Sequence, residues 1–393
     1  MSLFKLKSNI RIACAKRLAN YLAQEVETLG FKIISRTETG VDINGTLEDC
    51  MCLNMYLRTA SRVLFLIDEF EASTPDALYR NLVEIPWEEY VPEDGYISIG
   101  SFTNNENIRD TRFANVRVKD AVVDRLTNKT GKRPDSGPEM NRTVLFLFWN
   151  NNDASIFIDT SGESIAKHGY RKMPFKAPMQ EALAAATIMA SGWDGSTHFV
   201  NPMCGSGTLA IEAALIAVKK APGLMHRNFG FMHVKGFDYN VWKEIKTEAA
   251  KSIRSFTQGK IIASDYSAVA IGAAQTNARE ARVDHLIEFI VCPFEETPIP
   301  DGGGVIFINP EYGERLGDIE KLAETYSQIG DFFKKKGTGY KGYIFTGNMD
   351  AAKRIGLKTK RRIEFYNATI DCRLLEYELY SGTRVLPKID EQI

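Results

Sequence analysis

Asn201-Pro202-Met203-Cys204-Gly205-Ser206-Gly207-Thr208 is the stretch whose reading decides the fold. Upstream, the apolar run over 198–203 reads as a buried strand. Downstream, Ala210, Ala213, Ala214 and Ala217 recur at helical spacing over 208–220, small enough to let that helix lie close on a sheet. Glycines between a strand and a helix let the backbone turn tightly and approach a ligand. The free N–H groups of the first helical turn then favour an anion, such as a methionine carboxylate or a pyrophosphate. Alone, G-x-G-x-x-A also describes a tight turn with no ligand, so the flanking chain has to weigh the reading.

From Gly162 onward buried strands alternate with helices, the pattern of a mostly parallel sheet. Helices are expected over 178–191, 208–220, 267–282 and 320–335. Strands are expected over 198–203, 260–264, 287–291, 304–308 and 342–346. An irregular insertion runs to about 258; a short helix from Asp350 and β-rich runs over 361–367 and 369–380 follow. Before Gly162 the reading is α+β. Residues 1–60 open with a strand over 4–12, a helix over 14–29, a strand over 32–35 and mixed structure. Residues 61–160 continue with strands over 62–68 and 95–102, helices over 74–83 and 115–127, and a strand pair over 143–149 and 154–159.

Composition bounds the class. With 393 residues the chain exceeds one usual hydrophobic core, and 44% hydrophobic with 25% charged side chains is ordinary for a globular protein. No run approaches the ~20 apolar residues of a membrane helix, and no secretory signal opens the chain, so the expected address is the cytosol. The six cysteines lack the paired spacing of zinc or redox sites, and no metal is expected. The net charge of −1 is unevenly spread: residues 61–100 are acidic, whereas 101–150 carry a basic excess.

Two further positions carry chemistry. Asp265 closes the strand after the glycine turn, where a carboxylate can accept both ribose hydroxyls of a nucleoside cofactor, although it lies well beyond the usual ~20-residue spacing. A helix-capping role for Asp265 is the plainer reading. Asn309-Pro310-Glu311-Tyr312-Gly313 ends the fourth strand of the sheet, where open α/β sheets place their crevice. A base amino nitrogen delocalises its lone pair into the ring and is a poor nucleophile until acceptors draw on its hydrogens. The Asn309 side-chain oxygen and the Pro310 carbonyl can supply two, and Tyr312 can stack on the base. An Asn-Pro turn followed by a packing tyrosine is the structural alternative.

At these residues the sequence resembles the THUMP-domain RNA methyltransferases, in particular bacterial 23S rRNA guanine-N2 methyltransferases and related tRNA guanine-N2 enzymes, over nearly its whole length. The family's D-P-M-C-G-S-G-T stands here with Asn201 for the aspartate, and its N-P-P-Y-G-E-R-L with Glu311 for the second proline. The segment from Asn107 to Phe113, followed by Arg117 to Asp124, is similar to the THUMP signature. The resemblance implies an α/β architecture: a ferredoxin-like segment (1–60), a THUMP RNA-binding domain (61–160) and a Rossmann-like class I methyltransferase domain (161–393). It implies S-adenosyl-L-methionine as cofactor, held by Tyr170, Arg171, Pro178, Asn201, Pro202, Cys204, Gly205, Gly207, Thr208, Asp265, Tyr266, Cys292, Pro293, Phe294 and Asn309. Phe294 would be a wall for adenine. It implies catalysis by Asn309, Pro310 and Tyr312, and docking of structured RNA, rRNA or tRNA, through Arg109, Arg112 and Lys119, beside a helix start suited to phosphate contacts.

Guanine N2 in 23S rRNA is the first substrate implied, with a tRNA guanine-N2 enzyme, an adenine-N6 DNA methyltransferase and a non-catalytic RNA-binding module as alternatives. A dehydrogenase would share the glycine pattern but leave Asn309-Pro310-Glu311-Tyr312 unexplained. No feature of the sequence sets the oligomeric state or the target position.

Overall fold

The computed structural model describes residues 2–105, 110–175, 178–311 and 319–380. It divides into two compact units: Met1–Arg171 with Met179–Ala186 and Val218–Ser255, and Lys172–Pro178 with Thr187–Ala217 and Phe256–Ile393.

The first unit is built on one eight-stranded sheet. Its strands are β1 (Ser8–Cys14), β2 (Ile33–Thr37), β3 (Gly40–Gly45), β4 (Ala60–Glu71), β5 (Tyr96–Asn104), β6 (Asp135–Ser136), β7 (Thr143–Asn150) and β8 (Asp153–Asp159), in the order β2-β3-β1-β4-β8-β7-β5-β6. Its first helices are α1 (Ala19–Thr28), α2 (Leu47–Tyr56), α3 (Pro75–Glu84) and α4 (Thr111–Thr130). β4 pairs with β1 on one side and, from Leu64↔Asp159 to Glu71↔Asp153, with β8 on the other.

Several expected boundaries move for physical reasons. The opening strand over 4–12 is a 3-10 turn, Leu3–Lys5, followed by β1. The helix expected from Cys14 begins at Ala19, because Cys14 is held in the sheet: its N–H donates to Thr39 O at 2.8 Å, and it pairs with Ala60. The mixed region hides β3 and α2, the latter opened by a capping box in which Thr46 and Asp49 satisfy each other's backbone N–H groups. The helix expected over 115–127 is longer. Asp110 caps α4 by accepting from Arg112 N, and the helix ends at Gly131 in the left-handed conformation, φ 72°.

The second unit carries a seven-stranded sheet in the order β11-β10-β9-β12-β13-β15-β14. Its strands are β9 (His198–Pro202), β10 (Ile261–Asp265), β11 (Ile287–Val291), β12 (Gly304–Ile308), β13 (Tyr340–Thr346), β14 (Arg361–Asn367) and β15 (Ile370–Glu378). β9 to β13 run parallel, and β15 and β14 add antiparallel. The remaining helices in chain order are α5 (Glu181–Ser191), α6 (Thr208–Ala217), α7 (Tyr239–Lys251), α8 (Ala268–Glu280), α9 (Ile319–Lys336) and α10 (Met349–Ala352). α7 lies inside the expected irregular insertion; Asp238 caps it by accepting from Asn240 N. Like the rest of 218–255, α7 belongs to the first unit.

The inner strands β10, β9, β12 and β13 are largely buried, which is why they read as mainly apolar runs. Val200, Ile262, Ile306, Ile308 and Ile344 pack with Tyr326, Ile329, Phe332 and Phe333 of α9. The alternate residues Phe199, Phe307 and Tyr343 form a ring stack, with centroids 5.9 and 5.5 Å apart. Burial of each such side chain contributes about 1.5–3 kcal/mol. The chain runs β9-β10-β11 toward one edge and resumes on the other side with β12, so the strand order reverses between β9 and β12. That is the switch point at which open α/β sheets bind ligands. Among the described residues no helix is long and apolar enough to cross a membrane.

Candidate active site at the strand switch point

β9 ends at Pro202, and the chain turns through three left-handed residues: Met203 (φ 57°), Gly205 (φ 55°) and Gly207 (φ 83°). A methionine in that region is strained by about 1–3 kcal/mol and persists only where its surroundings fix it. Here Met203 packs against the core under α9, and the next N–H, of Cys204, donates to Ser264 O at 2.9 Å. Gly207 N donates to Cys204 O, and Ile211 N to Gly207 O, both at 2.9 Å, which starts α6. Thr208, its first residue, is buried.

The two glycines have different tasks. A Cβ on Gly205 would meet nothing within 4 Å, so the backbone there borders open space. A Cβ on Gly207 would stand 2.8 Å from Ala274 Cβ, against α8. Gly207 is thus required by helix packing, whereas the backbone at Gly205 borders open space. Gly207→Val is expected to destabilise the second unit by about 3 kcal/mol or more from overpacking and backbone strain, whereas Gly205→Ala should fold with a cost near 1 kcal/mol. Thermal unfolding of the two variants measures the difference, and equal melting temperatures would contradict the assignment.

Asp265, at the end of β10 and 7% exposed, holds the turn: Oδ2 accepts Gly205 N at 3.0 Å and Oδ1 accepts Ser267 N at 2.9 Å. The cap of α8 is Ser267, which accepts from Ala270 N. Each carboxylate oxygen retains capacity for one further hydrogen bond. Tyr266 is 73% exposed beside it, and Val291, paired with Asp265 across β10 and β11, is 54% exposed. Cys292 N donates to Asp265 O at 3.1 Å, and Pro293 is exposed. Phe294, expected as a wall for adenine, is 8% exposed and packs edge-on to Phe332 at 5.9 Å. The exposed apolar surface at these strand ends belongs to Tyr266 and Val291.

Asn201 and Asn309 flank the reversal of strand order. Regular pairing between β9 and β12 ends at Val200↔Ile306. Beyond it the buried Asn201 side chain takes over, Nδ2 donating to Phe307 O at 2.8 Å. An aspartate, lacking that donor when ionised, could not make this bond. Asn309 follows β12 directly and is half-buried, Pro310 is buried and Glu311 is exposed. The Oδ1 atoms of Asn201 and Asn309 are both buried and have no hydrogen-bond partner among the described residues. Tyr312 lies outside the described residues.

Burial, and secondarily the Asp265 charge, push the Cys204 thiol well above its ordinary range. Tyr170 and Arg171 lie in the first unit, where Tyr170 is buried and Arg171 pairs with Glu181 at 3.2 Å and donates to Met179 O. Pro178 and buried Pro202 lie in the second. Of the expected RNA contacts, Arg112 is exposed at the start of α4 and paired with Asp110 at 2.8 Å. Lys119 is half-buried and paired with Asp120 at 3.0 Å. Arg109 lies outside the described residues. Asn277 was not among the expected site residues, yet its amide donates to Ser206 O in the glycine turn. Its one sequence signal is that it stands as a lone amide in the buried stripe Ala270, Ala273, Ala274, Ala278 of α8.

A doubly wound parallel sheet with a glycine turn after its first strand, an acidic residue ending its second and Asn-Pro ending its fourth defines the class I methyltransferase architecture. Comparison with known proteins bears this out: a model of RMKL-like methyltransferase domains matches residues 168–376, preceded by an RlmL ferredoxin-like domain at 9–64 and a THUMP domain at 72–159. The chain belongs to the RMKL-like methyltransferase family. It is 37% identical to the ribosomal RNA large subunit methyltransferase K/L of Syntrophotalea carbinolica over 91% of its own length but 52% of that protein. It thus spans about half the length of such relatives. A Synechocystis sp. protein named "Putative RNA methyltransferase slr0064" is 31% identical, covering 93% of this chain and 95% of that one. The crystal structure of SMU.472 complexed with SAH superposes with a TM-score of 0.86 at 27% identity, over 97% of this chain and 100% of that one.

Proposed function

We propose that the chain is an S-adenosylmethionine-dependent RNA methyltransferase that modifies an exocyclic base amine, guanine N2 of large-subunit rRNA. The observation that carries this reading is Asn309 Oδ1, just after β12, buried and without a hydrogen-bond partner among the described residues. An unsatisfied buried acceptor costs about 1–3 kcal/mol, which a substrate amine would recover by donating to it. The residues fit the cofactor: Gly205 leaves backbone open to a ligand, Asp265 keeps acceptor capacity for ribose hydroxyls, and Tyr266 with Val291 offers apolar surface for a base. When bound, S-adenosylmethionine supplies an electrophilic methyl group. Asn309 and the Pro310 carbonyl would hold the amine hydrogens, and Tyr312 would stack on an extracted base.

The name of the K/L relatives favours rRNA over tRNA, and the THUMP match favours RNA over duplex DNA. On this reading residues 1–60 form a ferredoxin-like segment, 61–160 dock RNA, 161–393 carry the chemistry, and the protein works in the cytosol. The test is incubation with hypomethylated rRNA and S-adenosylmethionine, followed by mass spectrometry of the nucleosides. N2-methylguanosine is the expected product; a methyl group on ring carbon or ribose would overturn the amine assignment, and N6-methyladenosine the choice of base.

RNA docking is assigned to Arg112 and Lys119 with Arg109. Replacing all three by alanine should flatten the salt dependence of binding by roughly 0.7–0.9 logarithmic units for each phosphate no longer neutralised. Arg112 should contribute more than the half-buried Lys119. Binding isotherms over a salt series, with cofactor affinity as the internal reference, decide it; a parallel slope means the RNA lies elsewhere.

A further inference from the structure

Asn277 is 1% exposed and sits on α8, where every other inward residue is apolar. Its side chain makes the four hydrogen bonds an amide can make. Oδ1 accepts Lys172 N and Met173 N, both at 2.9 Å; Nδ2 donates to Met173 O at 2.9 Å and to Ser206 O at 3.1 Å. Ser206 lies between the two left-handed glycines, so this last bond sets the orientation of the peptide between Ser206 and Gly207. The glycine turn is thus gripped from both sides. Asp265 accepts the N–H of Gly205, and Asn277 donates to the carbonyl of Ser206.

We propose that Asn277 is a positioning residue for cofactor binding: one amide ties the Lys172–Met173 strap to the glycine turn, so that strap and turn are ordered together. The proposal rests on the reading of that turn as the cofactor loop. The energetic ground is the exchange of bonds. Removing the amide leaves two N–H groups and two carbonyls to find new partners, and the turn can no longer be held in one conformation before the ligand arrives.

Asn277→Ala should raise the dissociation constant for S-adenosylhomocysteine by about tenfold or more, equivalent to ~1.4 kcal/mol. Amide hydrogen exchange at Lys172 and Met173 should speed up. The KM for S-adenosylmethionine should rise with it, while kcat at saturation changes little, because Asn277 touches neither methyl nor base. Asn277→Asp keeps the acceptor and loses both donors, and so separates the two ends. Strap amides should stay protected while cofactor affinity still falls. Calorimetric titration with S-adenosylhomocysteine and exchange mass spectrometry on full-length protein read both, and the second variant serves if the first does not fold. Unchanged affinity in folded variants beside a binding parent would overturn the positioning role alone. A parent that binds no S-adenosylhomocysteine would overturn both this role and the cofactor reading.

Discussion

Asn309→Ala is expected to retain S-adenosylmethionine and RNA and to lose single-turnover methyl transfer by about a hundredfold or more, the range for one removed transition-state hydrogen bond. The Asn309 side-chain oxygen is buried and has no hydrogen-bond partner among the described residues, so an amine donor that reaches it meets an acceptor already held in place. That acceptor matters more as the amine nitrogen pyramidalises and its hydrogens become more acidic, which separates rate from affinity. Asn309 follows the last residue of β12, whose Val305, Ile306, Phe307 and Ile308 are all buried. The strand therefore holds the position rigidly, and truncating one side chain should not move it. Single-turnover assays at saturating cofactor and RNA measure the step directly; a variant transferring within a few-fold of the parent would remove Asn309 from the chemistry.

Asp265→Ala should abolish measurable cofactor binding at ordinary protein concentrations, a loss of about a hundredfold or more. Charge-assisted bonds to a ribose contribute about 1.5–3 kcal/mol each, and the same carboxylate holds Gly205 N and Ser267 N. On the proposed reading the substitution removes the ribose's partner, and it also loosens the turn at Gly205. Asp265→Asn retains one oxygen acceptor and should bind with an intermediate constant. Titration calorimetry with a parallel thermal melt separates binding from folding. Parent-like affinity in a folded Asp265→Ala protein would exclude this strand end from the cofactor site.

The positions of these residues were legible in the sequence because the inner strands β10, β9, β12 and β13 are largely buried and appear as short, mainly apolar runs with distinct ends. Asp265, Asn309 and the turn at 203–207 mark those ends, and local pattern is enough to find them. Features that depend on distant packing were not legible. Gly207 is a glycine because of Ala274, which belongs to another helix, and Phe294 lies in the core because of Phe332. Cys14 continues a helical pattern in the chain, yet Thr39 and Ala60 draw it into a sheet. Residues 218–255 read as an irregular insertion because their buried face is completed by the first unit, not by their sequence neighbours.

The pairing of β4 with β8 has a bearing on how the N-terminal half can be dissected. Matches to the ferredoxin-like and THUMP models stop at residue 64 and resume at 72, which invites a cut between them. β4 spans Ala60–Glu71 and bridges that gap, bonded to β1 on one flank and to β8 on the other. Severing the halves would strip a partner from β8 or β4 and leave a long raw edge of unpaired backbone, the kind of surface that recruits other strands and seeds aggregation. The two matched regions are therefore best produced as one piece. An inserted hinge at this seam, unlike one at a flexible linker, should behave as a folding lesion.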